Sequence, residues 1–309
     1  SREGFEDLVR RSWEGEGDNQ GCTMDRISRC RRKIMEWRKR NDMNSKEKIV
    51  RLRAALEQEV SLPLPSYRRM QRLKQDLAEA LREEELFWRQ KCREEWLKAG
   101  DRNTSYFHNC VRGRRIQNRV LMLLDDDNQE LFSEGSKGNL AVEFFRDLFT
   151  SSNPFDLETL FQGFSSRVTA DMNAHLTAPV SPDEIKEAAF CVKGSSAPGE
   201  DGLTGIFYQK LWHIIGPSLS EEITQFFQTS ILPEGWNHTQ LSLPPKIPKP
   251  ERMKDMRPIS LCSVQYKIIP KILCNRLKLI LPDIISETQG AFVAGRLISC
   301  LLYTSDAAD

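Results

Sequence analysis

Two prolines, Pro63 and Pro65, divide the most heavily charged stretch of the chain and limit what it can become. Proline lacks a backbone N–H and crowds the preceding turn, so no single helix can run through this point. On the N-terminal side, from Thr23 to about Glu59, Ile27, Ile34, Trp37, Ile49, Leu52 and Leu56 recur as a sparse apolar stripe, with Asn41–Asn44 as a candidate break. On the C-terminal side, across residues 66–99, Leu73, Leu77, Leu81, Trp88, Cys92 and Trp96 fall close to i, i+4 spacing, and Gly100 suits a left-handed stop. Two long charged helices joined at a proline turn predict an antiparallel helical hairpin. A plain helical spacer satisfies the same pattern.

Charge separates this region from the rest. The net charge of +1 conceals 26 Lys/Arg against 14 Asp/Glu in residues 24–120, and 16 against 24 in residues 121–309. A basic front beside an acidic back points to two units with different partners. The basic one suits a polyanion, because phosphate contacts release condensed counterions; a solvated helix surface is the bland alternative. With 39% hydrophobic and 29% charged residues the composition is globular. No apolar run approaches the ~20 residues of a membrane helix, and no signal peptide opens the chain. Ser1–Arg11 reads as the interior of a longer protein, so the N-terminus is expected to be a cut edge. Eight cysteines include no CxxC pair, and none of the four histidines sits at zinc-ligand spacing. The expectation is a reducing compartment, with most thiols buried as small hydrophobes.

The remaining elements follow from local pattern. Residues 1–13, with FEDLVRRSW, are expected to form one or two amphipathic turns, followed by a loop at Gly15, Gly17 and Gly21. Residues 100–120 mix Tyr106 and Phe107 with Arg112, Arg114, Arg115 and Arg119; bases can stack on such rings while arginines hold phosphates, and a core role for the aromatics is equally open. Val120–Leu124 and Glu130–Phe132 flank a polar turn and predict a β-hairpin. Residues 134–150 read as helical, and 151–175 as loop with short helical pieces. Ser181, Pro182 and Glu184 open a helix as cap, first position and capping box, with the helix running to about Val192. After the loop 194–205, helices are expected over about 205–215 and 219–230. A strand is expected over 237–248, then a short loop from 257 and a helix through Ile268 to Leu281.

Three segments stand out together: Ala197–Pro198–Gly199–Glu200–Asp201–Gly202–Leu203; Leu243–Pro244–Pro245–Lys246 with Asp255–Met256–Arg257–Pro258–Ile259–Ser260–Leu261; and Gln289–Gly290–Ala291–Phe292 with Gly295–Arg296. In this order, with WLKAGDRNTSYFH at 96–108 and FYQKLW at 207–212, they resemble the opening motifs of non-LTR reverse transcriptases, above all those of plant LINE elements. The likeness spans about residues 84–299. It implies an α+β fold in which a basic helical linker precedes the fingers and partial palm of a right-hand reverse transcriptase. The segments would be 1–23, a tail following an upstream endonuclease; 24–120, the basic helical linker; and 121–299, the fingers and the start of the palm.

The resemblance also implies roles. Lys246 and Arg257 would bind the nucleotide triphosphate, with Lys249 as a rival lysine; a hairpin between them would set both cations on one wall, Arg as a planar fork and Lys as a point charge. Pro198, Gly199, Asp201 and Gly202 would lie near the template and primer, or form only a structural turn. Gln289, Gly290, Phe292 and Arg296 would line the template path. Partners would be an RNA template, a DNA primer or target and deoxynucleoside triphosphates, with no membrane, in nucleus and cytoplasm. Mg²⁺ would serve the complete parent enzyme, and the fragment would hold none, because the single-aspartate strand and the aromatic-x-Asp-Asp hairpin expected later are missing.

Several positions depart from the family. Pro245 stands where an aliphatic residue usually precedes the lysine and is expected to cost the strand a ladder donor. Ser196, Glu200 and Ala294 also differ, which points to a decayed copy. Asp125–Asp126–Asp127 mimics the catalytic hairpin but lies upstream of Lys246 and reads as a β-turn. Residues 300–309, CLLYTSDAAD, look like a translated sequencing adapter. Two other readings remain: a non-catalytic RNA- or DNA-binding helical module from a decayed element, and another reverse transcriptase lineage such as an intron-encoded maturase.

Overall fold

The computed structural model describes residues 4–15, 21–40, 45–92, 104–152 and 165–286, together with 289 and 293. The candidate break at Asn41–Asn44, the stop at Gly100, the site residues Gly290, Phe292 and Arg296, and the segment 300–309 lie outside the described residues. The elements in chain order are α1 Phe5–Glu14, α2 Thr23–Arg40, α3 Ser45–Val60, α4 Tyr67–Cys92, α5 Thr104–Gln117, β1 Leu123–Leu124, β2 Glu130–Leu131 and α6 Glu134–Phe149. They continue with α7 Ala170–Thr177, α8 Pro182–Cys191, α9 Gly205–Lys210, α10 Trp212–Thr229, β3 Gln240–Ser242, β4 Ile259–Leu261 and α11 Val264–Ile284. The architecture is predominantly helical, with two small antiparallel β-ladders. No helix among the described residues is long and apolar enough to cross a membrane.

Two compact units divide the chain: residues 1–31, 147–242 and 259–309 form one, residues 32–146 and 243–258 the other. The first is organised by α11. Val264, Gln265, Ile268, Ile269, Ile272, Arg276 and Ile280 are buried along it, a stripe at the helical period that seats the helix against α7 and α8. The stripe has two polar members, and both are satisfied. Arg276 donates from Nε and Nη2 to the Glu184 carboxylate at 2.7 and 2.8 Å, and from Nη1 to the carbonyls of Leu176 and Ala178 at 3.0 and 2.6 Å. One buried guanidinium thus closes the end of α7 and fastens the first turn of α8. That turn is capped by Ser181, whose hydroxyl accepts from the Glu184 amide, with Pro182 at the first helical position.

α1 and the first part of α2, to Arg31, belong to this unit as well. Trp13 is buried and donates its indole N–H to Ser218 Oγ at 3.0 Å, while Glu222 accepts the Thr23 amide at 2.6 Å. These bonds span some two hundred positions of chain and are invisible to local pattern.

Two expectations of helix and loop need correction. The break between the helices after residue 205 falls at Leu211, and Pro217 lies inside α10 rather than between two helices. Pro217 is exposed. Gly216 beside it admits the Trp212 indole, which a Cβ would meet at 2.7 Å. The loop expected after residue 257 instead contains β4, which pairs with β3 in the register Gln240–Leu261, Leu241–Ser260 and Ser242–Ile259. The thiols also differ from expectation: of the six cysteines whose burial is described only Cys30 is buried, its pKa pushed up to about 11 by burial, while Cys22, Cys191 and Cys274 are exposed. The last two lie on helix faces turned away from the core stripe.

In the second unit, α3 and α4 pack together and α4 packs on α5, the helical hairpin expected around Pro63 and Pro65. Its turn is held by Glu59, which is buried, accepts the Ser66 amide at 3.0 Å and pairs with Arg69 at 3.1 Å. A small core of Leu123, Phe145, Met253 and Met256 joins α6, the β1–β2 hairpin and the segment 243–258. The unit carries 30 Lys/Arg against 21 Asp/Glu, net +9, and the first unit 15 against 23, net −8.

Candidate nucleic-acid interface

The segment 243–258 carries five cations and two carboxylates in sixteen residues of the acidic back half, and it folds into the basic unit. It forms a β-hairpin tip. Pro245 and Met256 are an isolated antiparallel bridge, the Lys246 amide donates to Asp255 O at 2.7 Å, and the Arg257 amide donates to Pro244 O at 2.9 Å. These two bonds flank the 245–256 pair, so it is the narrow, non-hydrogen-bonded kind. Pro245 therefore sits where no ladder donor is required, and the cost expected from its missing N–H does not arise.

The register also sorts the side chains. Met256 is buried in the small core, and side chains alternate faces along each strand. Lys246, opposite Asp255, and Arg257, two residues beyond Asp255, share the other face. Both are exposed. The Lys246 amine donates to the Lys254 carbonyl at 2.7 Å, which leaves it on the hairpin surface. Asp255 accepts the amides of Arg252 and Glu251 at 3.0 and 3.1 Å, and these hold its carboxyl below the usual carboxylate range. Lys249 lies at the exposed end of the same tip. In the same unit α5 presents Arg112, Arg114 and Arg115 to solvent, with Arg119 just beyond its end.

The loop 197–203 belongs to the first unit. Gly199 is buried so tightly that a Cβ would lie 2.6 Å from the Ser263 amide nitrogen, and Gly202 has φ +71°. Both positions need glycine, one for space and one for its backbone angle. Lys267 donates to the Ala197 carbonyl at 3.0 Å. Asp201 Oδ1 accepts the Leu203 amide at 3.2 Å. Behind the loop, buried Tyr208 lies 2.8 Å from Gln265 Oε1 and 3.3 Å from Asp201 Oδ2. One hydroxyl proton serves one of these acceptors at a time. Burial pushes the Asp201 carboxyl up, against the hydrogen bonds that favour its anion, and burial likewise raises Tyr208. Pro198 is half-buried in this loop; Gln289 is exposed, its amide bonded to Ser286 O at 3.0 Å.

Local pattern missed Glu59, Tyr208, Arg252, Gln265 and Arg276 as organising residues. For Gln265 and Arg276 a signal existed, since each is a polar residue on the apolar stripe of α11, where only a paired group is tolerated.

The described residues do not fit a Mg²⁺ site. Among them, no three of His, Cys, Asp or Glu come together as a metal-ligand group. The Asp125–Asp127 run is a hairpin turn: Asp125 Oδ1 accepts the amides of Asp127 and Gln129 at 3.0 and 2.8 Å, and Asn128 has φ 60°.

Fold and surface define a mainly helical α+β chain that presents a cation-bearing hairpin tip within a basic unit. No family model matches the chain. It is similar to the transposon TX1 uncharacterized 149 kDa protein of Xenopus laevis, with 30% identity over 200 residues. The match takes in 64% of this chain and 15% of that protein, so the chain is related to a transposon-encoded protein and corresponds to a small part of its length.

Proposed function

We propose that the chain is the front part of the RNA-directed DNA polymerase of a non-LTR retrotransposon of the plant LINE type. In this role it binds template and primer and the phosphates of the incoming nucleotide, without the carboxylates that would hold catalytic metals. The observation that carries the reading is the shared exposed face of Lys246 and Arg257 on one hairpin tip. A triphosphate needs fixed cations of this kind, one planar and forked, one compact. The similarity to a transposon protein supports the same reading, as does the ordered set of segments at 197–203, 243–261 and 289–296.

The test is to titrate the chain with a labelled deoxynucleoside triphosphate and, separately, with an RNA–DNA hybrid. Arg257→Ala is expected to weaken the triphosphate about tenfold, the loss of one charge-assisted pair, and the hybrid by less than half that. A loss confined to the hybrid would remove the assigned role.

A second reading is a non-catalytic helical module that binds RNA or DNA through the basic unit alone. The net charge of +9 on residues 32–146 and 243–258 favours it. Under this reading Arg257→Ala leaves triphosphate binding unchanged, because none is present to lose.

A further inference from the structure

We propose that Arg252 is a positioning residue that holds the Lys246–Arg257 face in register by tying the hairpin tip to the β1–β2 turn; the inference rests on the phosphate-binding reading of those two cations. Arg252 is half-buried. Its Nη1 donates to the Asp125 carbonyl at 3.3 Å and its Nη2 to Asn128 Oδ1. One residue earlier, the Glu251 carbonyl accepts the Leu124 amide at 2.7 Å. The segment 251–252 is thus fastened at two successive residues to the hairpin carrying Asp125–Asp127.

The turn is shaped for this. The Asp125 carboxylate is taken up by the Asp127 and Gln129 amides, and Arg252 meets the Asn128 side-chain oxygen and the Asp125 carbonyl, which also accepts the Asn128 amide at 3.2 Å. Two acceptors at separate positions suit a planar guanidinium fork; an ammonium is a point donor and serves them poorly.

From Arg252 the constraint reaches the cations through short links. Its own amide is held by Asp255, the turn 253–255 closes through Met256 N to Met253 O at 3.0 Å, and the Asp255 carbonyl takes the Lys246 amide. Loosening Arg252 therefore frees the strand pair on which Lys246 and Arg257 sit. The acidic run that imitates a metal-binding hairpin becomes, on this account, the footing of the phosphate-binding one.

The experiment uses the full chain and three variants. Arg252→Ala removes the tie and a charge, Arg252→Lys keeps the charge and loses the fork, and Asn128→Ala removes one acceptor and no charge. Amide hydrogen exchange at Lys246 and Arg257 is read beside affinity for a fluorescent deoxynucleoside triphosphate. All three variants are expected to lower protection at both amides and to weaken the triphosphate by about three- to tenfold, the range of a partly exposed charged hydrogen bond. Unchanged protection in Arg252→Lys and Asn128→Ala overturns the positioning role, and so does wild-type triphosphate affinity in Arg252→Lys, which would leave Arg252 as one more cation. If the wild type binds no triphosphate, the phosphate reading itself falls and the role falls with it. The exchange data then separate that failure from a tie that was never formed.

Discussion

The two units solve opposite problems. The first, net −8, buries a mainly apolar stripe on α11 against α7 and α8, with Arg276 and Gln265 as its two paired polar members. The second, net +9, buries little: on α3 and α4 the fully enclosed apolar residues described are Ile49 and Ala80, and the small core around Leu123 and Met256 serves the hairpins. Full burial of a large apolar side chain contributes about 1.5–3 kcal/mol, and among the described residues most of this burial lies in the acidic unit. The basic unit keeps its long side chains in solvent, where they suit phosphates. The apolar stripe of α11 and the cation-bearing hairpin tip thus fall in different units.

The largest expected effect is on the first unit. Arg276→Ala leaves Glu184 unpaired, together with carbonyls at the end of α7, and should cost about 3–5 kcal/mol, read by urea unfolding followed at tryptophan. Affinity for an RNA–DNA hybrid at low denaturant should stay within about twofold; a tenfold loss would break the separation of core and interface. Gly199→Ala comes next. Its Cβ must displace the Ser263 backbone, at a cost of about 1–3 kcal/mol, read by the same unfolding measurement.

Acid gives a smaller and more specific effect. The hydrogen bonds from Arg276 hold Glu184 below the usual carboxylate range. The stability this pair supplies is complete above the unfolded carboxylate value of about 4.3 and fades as pH falls towards the depressed folded value. The stability gap between wild type and Arg276→Ala should therefore narrow below about pH 4.3. Asp201 runs the other way: burial raises its pKa, so its protonated form favours the fold and that contribution is lost as pH rises through the raised value. Asp201→Asn should accordingly be neutral or slightly stabilising at neutral pH, in equilibrium unfolding; a loss above about 1 kcal/mol would mean that the carboxylate's hydrogen bonds outweigh its burial.

Much of the local structure was legible. The Ser181–Pro182 start of α8, the hairpin at 123–131 and the paired helices about Pro63 rest on caps, turn residues and period, all short-range properties. What escaped was decided at long range. Pro217 looks like a helix end to a local reading, yet the helix passes through it. Residues 259–261 look like a loop until β3 arrives to pair with them. Arg252 resembles any other lysine or arginine of the tip, and only the turn at Asp125–Asn128, more than a hundred positions away, makes it a tie. Of the candidate site, the pairing of Lys246 with Arg257 was legible as two cations bracketing a hairpin; their common face depends on a register that no spacing alone determines.

The central claim is that the basic unit takes the polyanion. Its most direct test is the salt dependence of RNA–DNA hybrid binding by two variants of equal charge change. Replacing Arg112, Arg114, Arg115 and Arg119 of the basic unit by alanine should lower the slope of log K against log salt by up to about 0.9 for each phosphate that is no longer neutralised. Replacing Lys186, Lys193, Lys210 and Lys278 of the acidic unit should leave the slope unchanged. A slope that falls equally with both replacements, or only with the second, would contradict the account.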